Sequence, residues 1–155
     1  MKKFVLALIG IALFAMTGAA LAATVSNNIQ VTASVADTCR ITTAATNVNF
    51  GDYDPMSIID DIDGGSSIEF RCTKNLTYWT YIQRFNTMTS GLNNLTYELY
   101  TDAGRTTAWA TAKSGIGTVS PNNAPRLILI NGKITAGQDV PAGSYSENVT
   151  VTIEW

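Results

Sequence analysis

No histidine occurs anywhere in the sequence. That absence removes Ser-His-Asp and Cys-His activation of a nucleophile, because both need an imidazole to take the proton. It also removes the usual zinc sets, since the two cysteines present cannot by themselves close a tetrahedral site. Charged residues are sparse, at 14% of the chain, and no run of lysine and arginine gathers into a patch. That argues against nucleic acid or an anionic membrane as partner. Beyond the first residues there is no second long apolar run, so no transmembrane segment is expected in the mature chain.

The one long apolar run opens the chain. Lys2 and Lys3 precede a stretch from Phe4 to Met16 broken only by Gly10, and Ala20-Leu21-Ala22 closes it in an A-x-A pattern. This is the layout of a cleaved secretory signal, bacterial in its short basic start. Residues 1–22 are assigned to it. A retained anchor fits less well, because the apolar core is short and no basic stop-transfer cluster follows. Ala23 or Thr24 then begins the mature chain, and roughly 130 residues remain, the size of one domain. Without Lys2 and Lys3, eight basic residues face twelve acidic ones, a mildly acidic balance.

Two cysteines, Cys39 and Cys72, are all there are. In an oxidising compartment an isolated pair reads as one disulfide. A metal pair or a catalytic thiol would need partners that the chain lacks. The acidic stretch Asp52, Asp54, Asp60, Asp61 and Asp63 fails as a calcium loop. With Gly64 as the turn glycine, the first and last ligand positions would be Ile59 and Phe70, both apolar. It reads as a solvated loop with turn-forming aspartates. No catalytic residue, metal site or cofactor is assigned, and no enzyme is expected.

What the sequence does have is period-two alternation, with no sustained i, i+3, i+4 pattern. Over residues 24–35, Val25, Ile29, Val31, Ala33 and Val35 share one face, with Asn27 the exception, and polar residues take the other. Strands are predicted over 39–43, 47–50, 66–72 and 76–85, then around Leu95, Tyr97 and Leu99. A hairpin is predicted with strands 126–130 and 133–135 about the Asn131-Gly132 dipeptide. The last strand, 148–155, sets Val149, Val151, Ile153 and Trp155 on one face. Short strands, many threonines and Gly/Asn/Pro punctuation predict an all-β sandwich. Tyr78, Trp79, Tyr81 and Trp109 suit either a sandwich core or a sugar-binding surface, which leaves a secreted carbohydrate-binding module as the alternative function.

In order along the chain stand an alternating segment after the cleavage site, Cys39, Phe50-Gly51-Asp52-Tyr53 and Cys72. There follow Leu95-Thr96-Tyr97-Glu98-Leu99-Tyr100 with Asp102 and Trp109, then Pro141-Ala142-Gly143-Ser144-Tyr145 leading into Val149-Thr150-Val151-Thr152-Ile153. The order and spacing resemble the spore coat protein U domain family, which includes the Csu-type subunits of archaic chaperone–usher pili. The resemblance implies an immunoglobulin-like β-sandwich lacking one strand. A periplasmic chaperone would fill the gap in transit, and the N-terminal strand of the next subunit would fill it in the fibre. It implies a surface fibre subunit supporting adhesion or biofilm formation, exported through the periplasm by a chaperone and an outer-membrane usher. Its other partners would be identical or related subunits, head to tail, and a spore or cell coat protein is a further alternative.

On this basis residues 23–36 are a donor-strand segment carrying Val25, Ile29, Val31, Ala33 and Val35, and residues 37–155 are the sandwich domain. Val149, Val151, Ile153 and Trp155 are assigned to the acceptor groove or its edge strand. The alternation of 24–35 suits equally the first strand of a complete sandwich, and the sequence does not separate the two.

Overall fold

A computed structural model describes residues 23–62 and 65–155. The leader expected over 1–22, and Asp63 and Gly64 of the acidic turn, lie outside the described residues. The chain divides into a unit ending at Ser34 and a body from Val35 to Trp155. In the first unit, residues 23–34 form neither helix nor strand and every side chain is exposed.

The body is an immunoglobulin-like β-sandwich, not a closed barrel. Its strands are β1 (Cys39–Thr43), β2 (Ser66–Cys72), β3 (Thr77–Gln83), β4 (Thr87–Ser90), β5 (Asn93–Thr96), β6 (Glu98–Tyr100), β7 (Thr118–Val119), β8 (Arg126–Lys133) and β9 (Thr150–Glu154). One sheet has the order β1-β2-β8-β6 and a second β7-β3-β9, with β4 and β5 as a hairpin. Alternation explains the layering: in β2, Ser66, Ile68, Phe70 and Cys72 point inward while Arg71 faces water.

Two clusters fill the space between the layers. The larger holds Ile82, Leu95, Tyr97, Leu99, Trp109, Ile130 and Ile134. The smaller is built around the Cys39–Cys72 disulfide with Phe70 and Tyr78, whose rings meet edge to face at 5.2 Å. That disulfide joins residues directly opposite each other on β1 and β2. Trp109 is buried, and its indole N–H donates to the Leu129 carbonyl at 3.1 Å, so a large ring enters the core without an unmet polar group.

Two local predictions are corrected, and one element goes beyond them. Asn131-Gly132 is no turn: β8 runs straight through it, pairing with β2 over 126–130 and with β6 over 131–133. Gly132 serves a close approach instead, with the Phe50 ring where its Cβ would lie. Residues 47–50 form no strand, although Val48 and Phe50 do pack on the larger cluster. The hairpin of β4 and β5 was not anticipated; Gly91 turns it at a φ of 63°, a conformation open to glycine at little steric strain.

Candidate functional site

β9 pairs with β3 along one edge and with nothing along the other among the described residues. β1 is likewise the end of its sheet. Beside the free edge of β9 the core is uncovered. Ile41 lies opposite Phe70, hence on the inward side of its sheet, and yet is 52% exposed.

The uncovered region is a trough made of two adjoining cavities of about 530 and 550 Å³, which share Val48, Asn49, Phe50, Met88 and Tyr145. Its base is the core itself, with Leu95, Tyr97, Leu99, Ile130 and Ile134 reaching the opening. One wall is residues 45–53 and the other residues 140–149 with Val151.

Both walls are pinned from behind. The Tyr53 hydroxyl donates to the Thr135 carbonyl at 3.2 Å and accepts from the Gln138 N–H at 2.9 Å. On the other side, Thr89 and Ser146 exchange backbone hydrogen bonds of 3.0 and 3.2 Å. The Glu147 carboxylate accepts the Phe85 and Thr87 N–H groups at 2.5 and 3.0 Å. Burial, then a hydrogen bond with Glu147, holds the Tyr97 phenol well above its usual pKa, so Tyr97 is a neutral part of the base. The trough is thus a channel with an apolar base and walls that mix apolar and polar groups, with the free edge of β9 beside it. Its length and open side can take an extended chain.

The predicted site residues fall as follows. Val149 and Val151 line the trough. Ile153 packs on the disulfide cluster and Trp155, past the end of β9, is half exposed. Val25, Ile29 and Val31 are fully or mostly exposed, as is Val35 at the start of the body, and Ala33 is exposed as well. Sequence reasoning missed Phe50, Tyr53, Met88, Val140 and Tyr145 as groove residues. A signal was present: Phe50-Gly51-Asp52-Tyr53 and Pro141-Ala142-Gly143-Ser144-Tyr145, two stretches that carried the family resemblance, face each other across the trough.

The aromatics of the alternative function do not form one platform. Tyr78 and Trp109 are buried. Trp79 donates its indole N–H to the Gly115 carbonyl at 3.1 Å under the Lys113 ammonium, 3.8 Å from the ring centroid. The Tyr81 hydroxyl donates to Glu154 at 2.9 Å.

A two-sheet β-sandwich with an open trough beside its last strand is the class of protein that the fold defines. Comparison with known proteins narrows it. The Spore Coat Protein U domain model matches residues 25–152, and the chain belongs to that family. The chain is 29% identical to Protein U of Myxococcus xanthus over a 155-residue alignment covering 85% of this chain and 86% of that protein. Its fold is similar to a chain in the CsuC–CsuE chaperone–tip adhesion subunit pre-assembly complex from the archaic chaperone–usher Csu pili of Acinetobacter baumannii. There the TM-score is 0.52 and the identity 26%, over 79% of this chain and 40% of that one. This chain therefore spans about two fifths of the solved chain it matches. The family and fold are those of pilus and coat subunits.

Proposed function

We propose that this protein is the subunit of a surface fibre, exported through the periplasm, and that it polymerises by giving residues 24–35 to the trough of a neighbouring copy. One observation carries this: the chain has an exposed alternating apolar segment at its start and an apolar trough with open strand edges in its body, each lacking what the other supplies. Twelve residues at about 3.3 Å each span some 40 Å, enough to run the length of a sandwich. Ile29, Val31 and Val35 are 81%, 88% and 83% exposed. Burying each would stabilise the joint by at most about 1.5–3 kcal/mol. Backbone pairing with the free edge of β9 would add to this and slow dissociation.

An uncovered trough beside an open edge invites aggregation, which supports the need for a chaperone before assembly. The chaperone would occupy the same trough, and an outer-membrane usher would exchange it for the next subunit. Adhesion or biofilm formation is the role such a fibre would serve. The family's coat members favour a second reading, a polymer on a cell or spore surface; shearing cells and finding the subunit in released fibres, or only in the retained coat, separates the two.

The test compares the mature full chain with an Ile29→Asp/Val31→Asp variant by size distribution, before and after boiling in detergent. Heat-sensitive polymers from the parent, lost in the variant, are expected. Monodisperse monomers from both, equally stable, would sink the proposal.

A further inference from the structure

The body carries charge of opposite sign at its two ends. β2 runs from Ser66 to Cys72 and β8 returns from Arg126 to Lys133, so the strand ends mark the poles. At the disulfide pole Arg40 and Arg71 stand directly opposite each other, both exposed, with Lys74 just beyond Cys72 and Arg126 at the start of β8. Asp37 and Glu69, the latter two residues from Arg71 on the same face of β2, are the acids near them, and Lys113 and Glu154 pair with each other at 2.8 Å. The opposite pole carries Asp52, Asp54, Asp60 and Asp61 on the loop before β2 and Asp139 on the segment after β8. Its bases are Lys133, which pairs with Asp60 at 3.3 Å, and Arg105, whose guanidinium donates to the Gly132 carbonyl at 2.8 Å. The same loop leaves Met56, Ile58 and Ile59 at 88%, 95% and 74% exposure, an apolar surface framed by acids.

The trough reaches the acidic pole, where Asp52, Tyr53 and Pro55 line it with Val140 and Pro141. The chain enters the body at the basic pole, because the Thr73 hydroxyl, next to Cys72, donates to the Ala36 carbonyl at 3.2 Å and accepts the Thr38 N–H at 3.1 Å. Given donor-strand assembly, on which this inference rests, we propose that successive copies meet pole to pole. The basic end of the subunit giving its strand docks on the acidic, apolar loop 51–62 of the subunit receiving it, and the strand therefore lies antiparallel to β9.

The charges select that direction. β9 runs toward the disulfide pole, since Val151 packs on the larger cluster and Ile153 on the disulfide cluster. A donated strand parallel to β9 would leave the trough at the basic pole and set Arg40, Arg71 and Lys74 of one copy against the same groups of the next. An antiparallel strand leaves beside Asp52 and Asp139. Three residues, 36–38, separate Val35 from Cys39. The four steps from Val35 to Cys39 span at most about 13 Å, more than the roughly 8 Å Debye length at physiological salt and well inside the roughly 30 Å at 0.01 M. At low salt the poles are held where each feels the other's charge.

The experiment follows polymer growth of the full mature chain at about 20 mM and about 0.5 M salt, across which screening tightens several-fold. Asp52→Lys/Asp139→Lys and Arg71→Glu/Lys74→Glu reverse one pole each, and the fourfold combination exchanges both. These four side chains make no hydrogen bond among the described residues, and melting curves matched to the parent confirm that the fold is kept. Where a melt shifts, the neutral Asp52→Asn/Asp139→Asn pair takes its place. Each single-pole reversal should slow growth about tenfold at low salt, an effect that shrinks at high salt, and the fourfold variant should recover to within about twofold. Parent-like growth in the single-pole variants, or no recovery in the fourfold one, overturns the pole-to-pole junction even while Ile29→Asp/Val31→Asp still abolishes polymers. Polymers that survive Ile29→Asp/Val31→Asp, or a parent that forms none, overturn donor-strand assembly itself and this junction with it.

Discussion

Gly132 and Phe50 stand so close that no side chain fits between them: a Cβ on Gly132 would lie 2.5 Å from the Phe50 Cζ and 3.0 Å from a Val48 methyl. Gly132 is an interior residue of β8, and Phe50 is part of a trough wall. Replacing a strand glycine by alanine ordinarily gains about 0.5–1 kcal/mol through lost chain entropy. Here the sign reverses, because the ring must move out of a packed position. Gly132→Ala should destabilise the body by about 1–3 kcal/mol. Urea unfolding checks it, and a neutral or stabilising result would mean that the wall at Phe50 yields freely.

The Cys39–Cys72 bridge closes a loop of 33 residues. On the chain-entropy account, losing it costs about 3–4 kcal/mol. Cys39→Ala/Cys72→Ala should lower the urea midpoint accordingly, and reductant should do the same to the parent and nothing to the variant.

Arg84 is almost wholly buried, its side chain 1% exposed, and pairs with Glu98 while also donating to the carbonyls of Ile82 and Trp109 at 3.1 and 2.8 Å. Glu98 also accepts from Asn86 at 3.0 Å. Removing the carboxylate strands a buried cation, so Glu98→Ala should cost about 3–5 kcal/mol. Arg84→Met/Glu98→Leu, which removes both charges, should cost much less. Equal losses in the two variants would show that shape rather than charge holds this corner.

Tyr97 ties stability to alkaline pH. Its folded-state pKa is raised, first by burial and then by Glu147, so the folded chain holds the phenolic proton more tightly than the unfolded one. That contribution is fully present below the ordinary phenol value of about 10 and is lost as pH rises beyond it. Tyr97→Phe should flatten this alkaline limb while leaving the pH dependence near neutrality unchanged. Midpoints measured from pH 7 upward, falling equally in both proteins, would refute it.

Much of the framework was legible from local pattern. The bounds of β2 match the alternation, because one of its faces is buried and a period of two has a single solution there; β1 matches too, although only its Cys39 is buried. The cysteine pair was legible because no other partner exists for either thiol. β8 was not: Asn131-Gly132 is a strong turn signal locally, and only the packing of Phe50 and Val48 against Gly132 shows why a glycine is needed in a continuous strand. The stretch 47–50 alternates like a strand, yet it joins no sheet among the described residues, so alternation alone did not make it one.

By itself the sequence determined an all-β domain with one disulfide and an alternating apolar segment at its start. These follow from residue types and periods, which act over a few neighbours. Only the tertiary structure decided that the walls at Phe50 and Tyr145 face each other across an apolar trough, that β9 keeps an open edge beside it, and that acids and bases collect at opposite poles. Those facts depend on strand order and on residues some ninety positions apart along the chain, brought together by burial that no local pattern encodes.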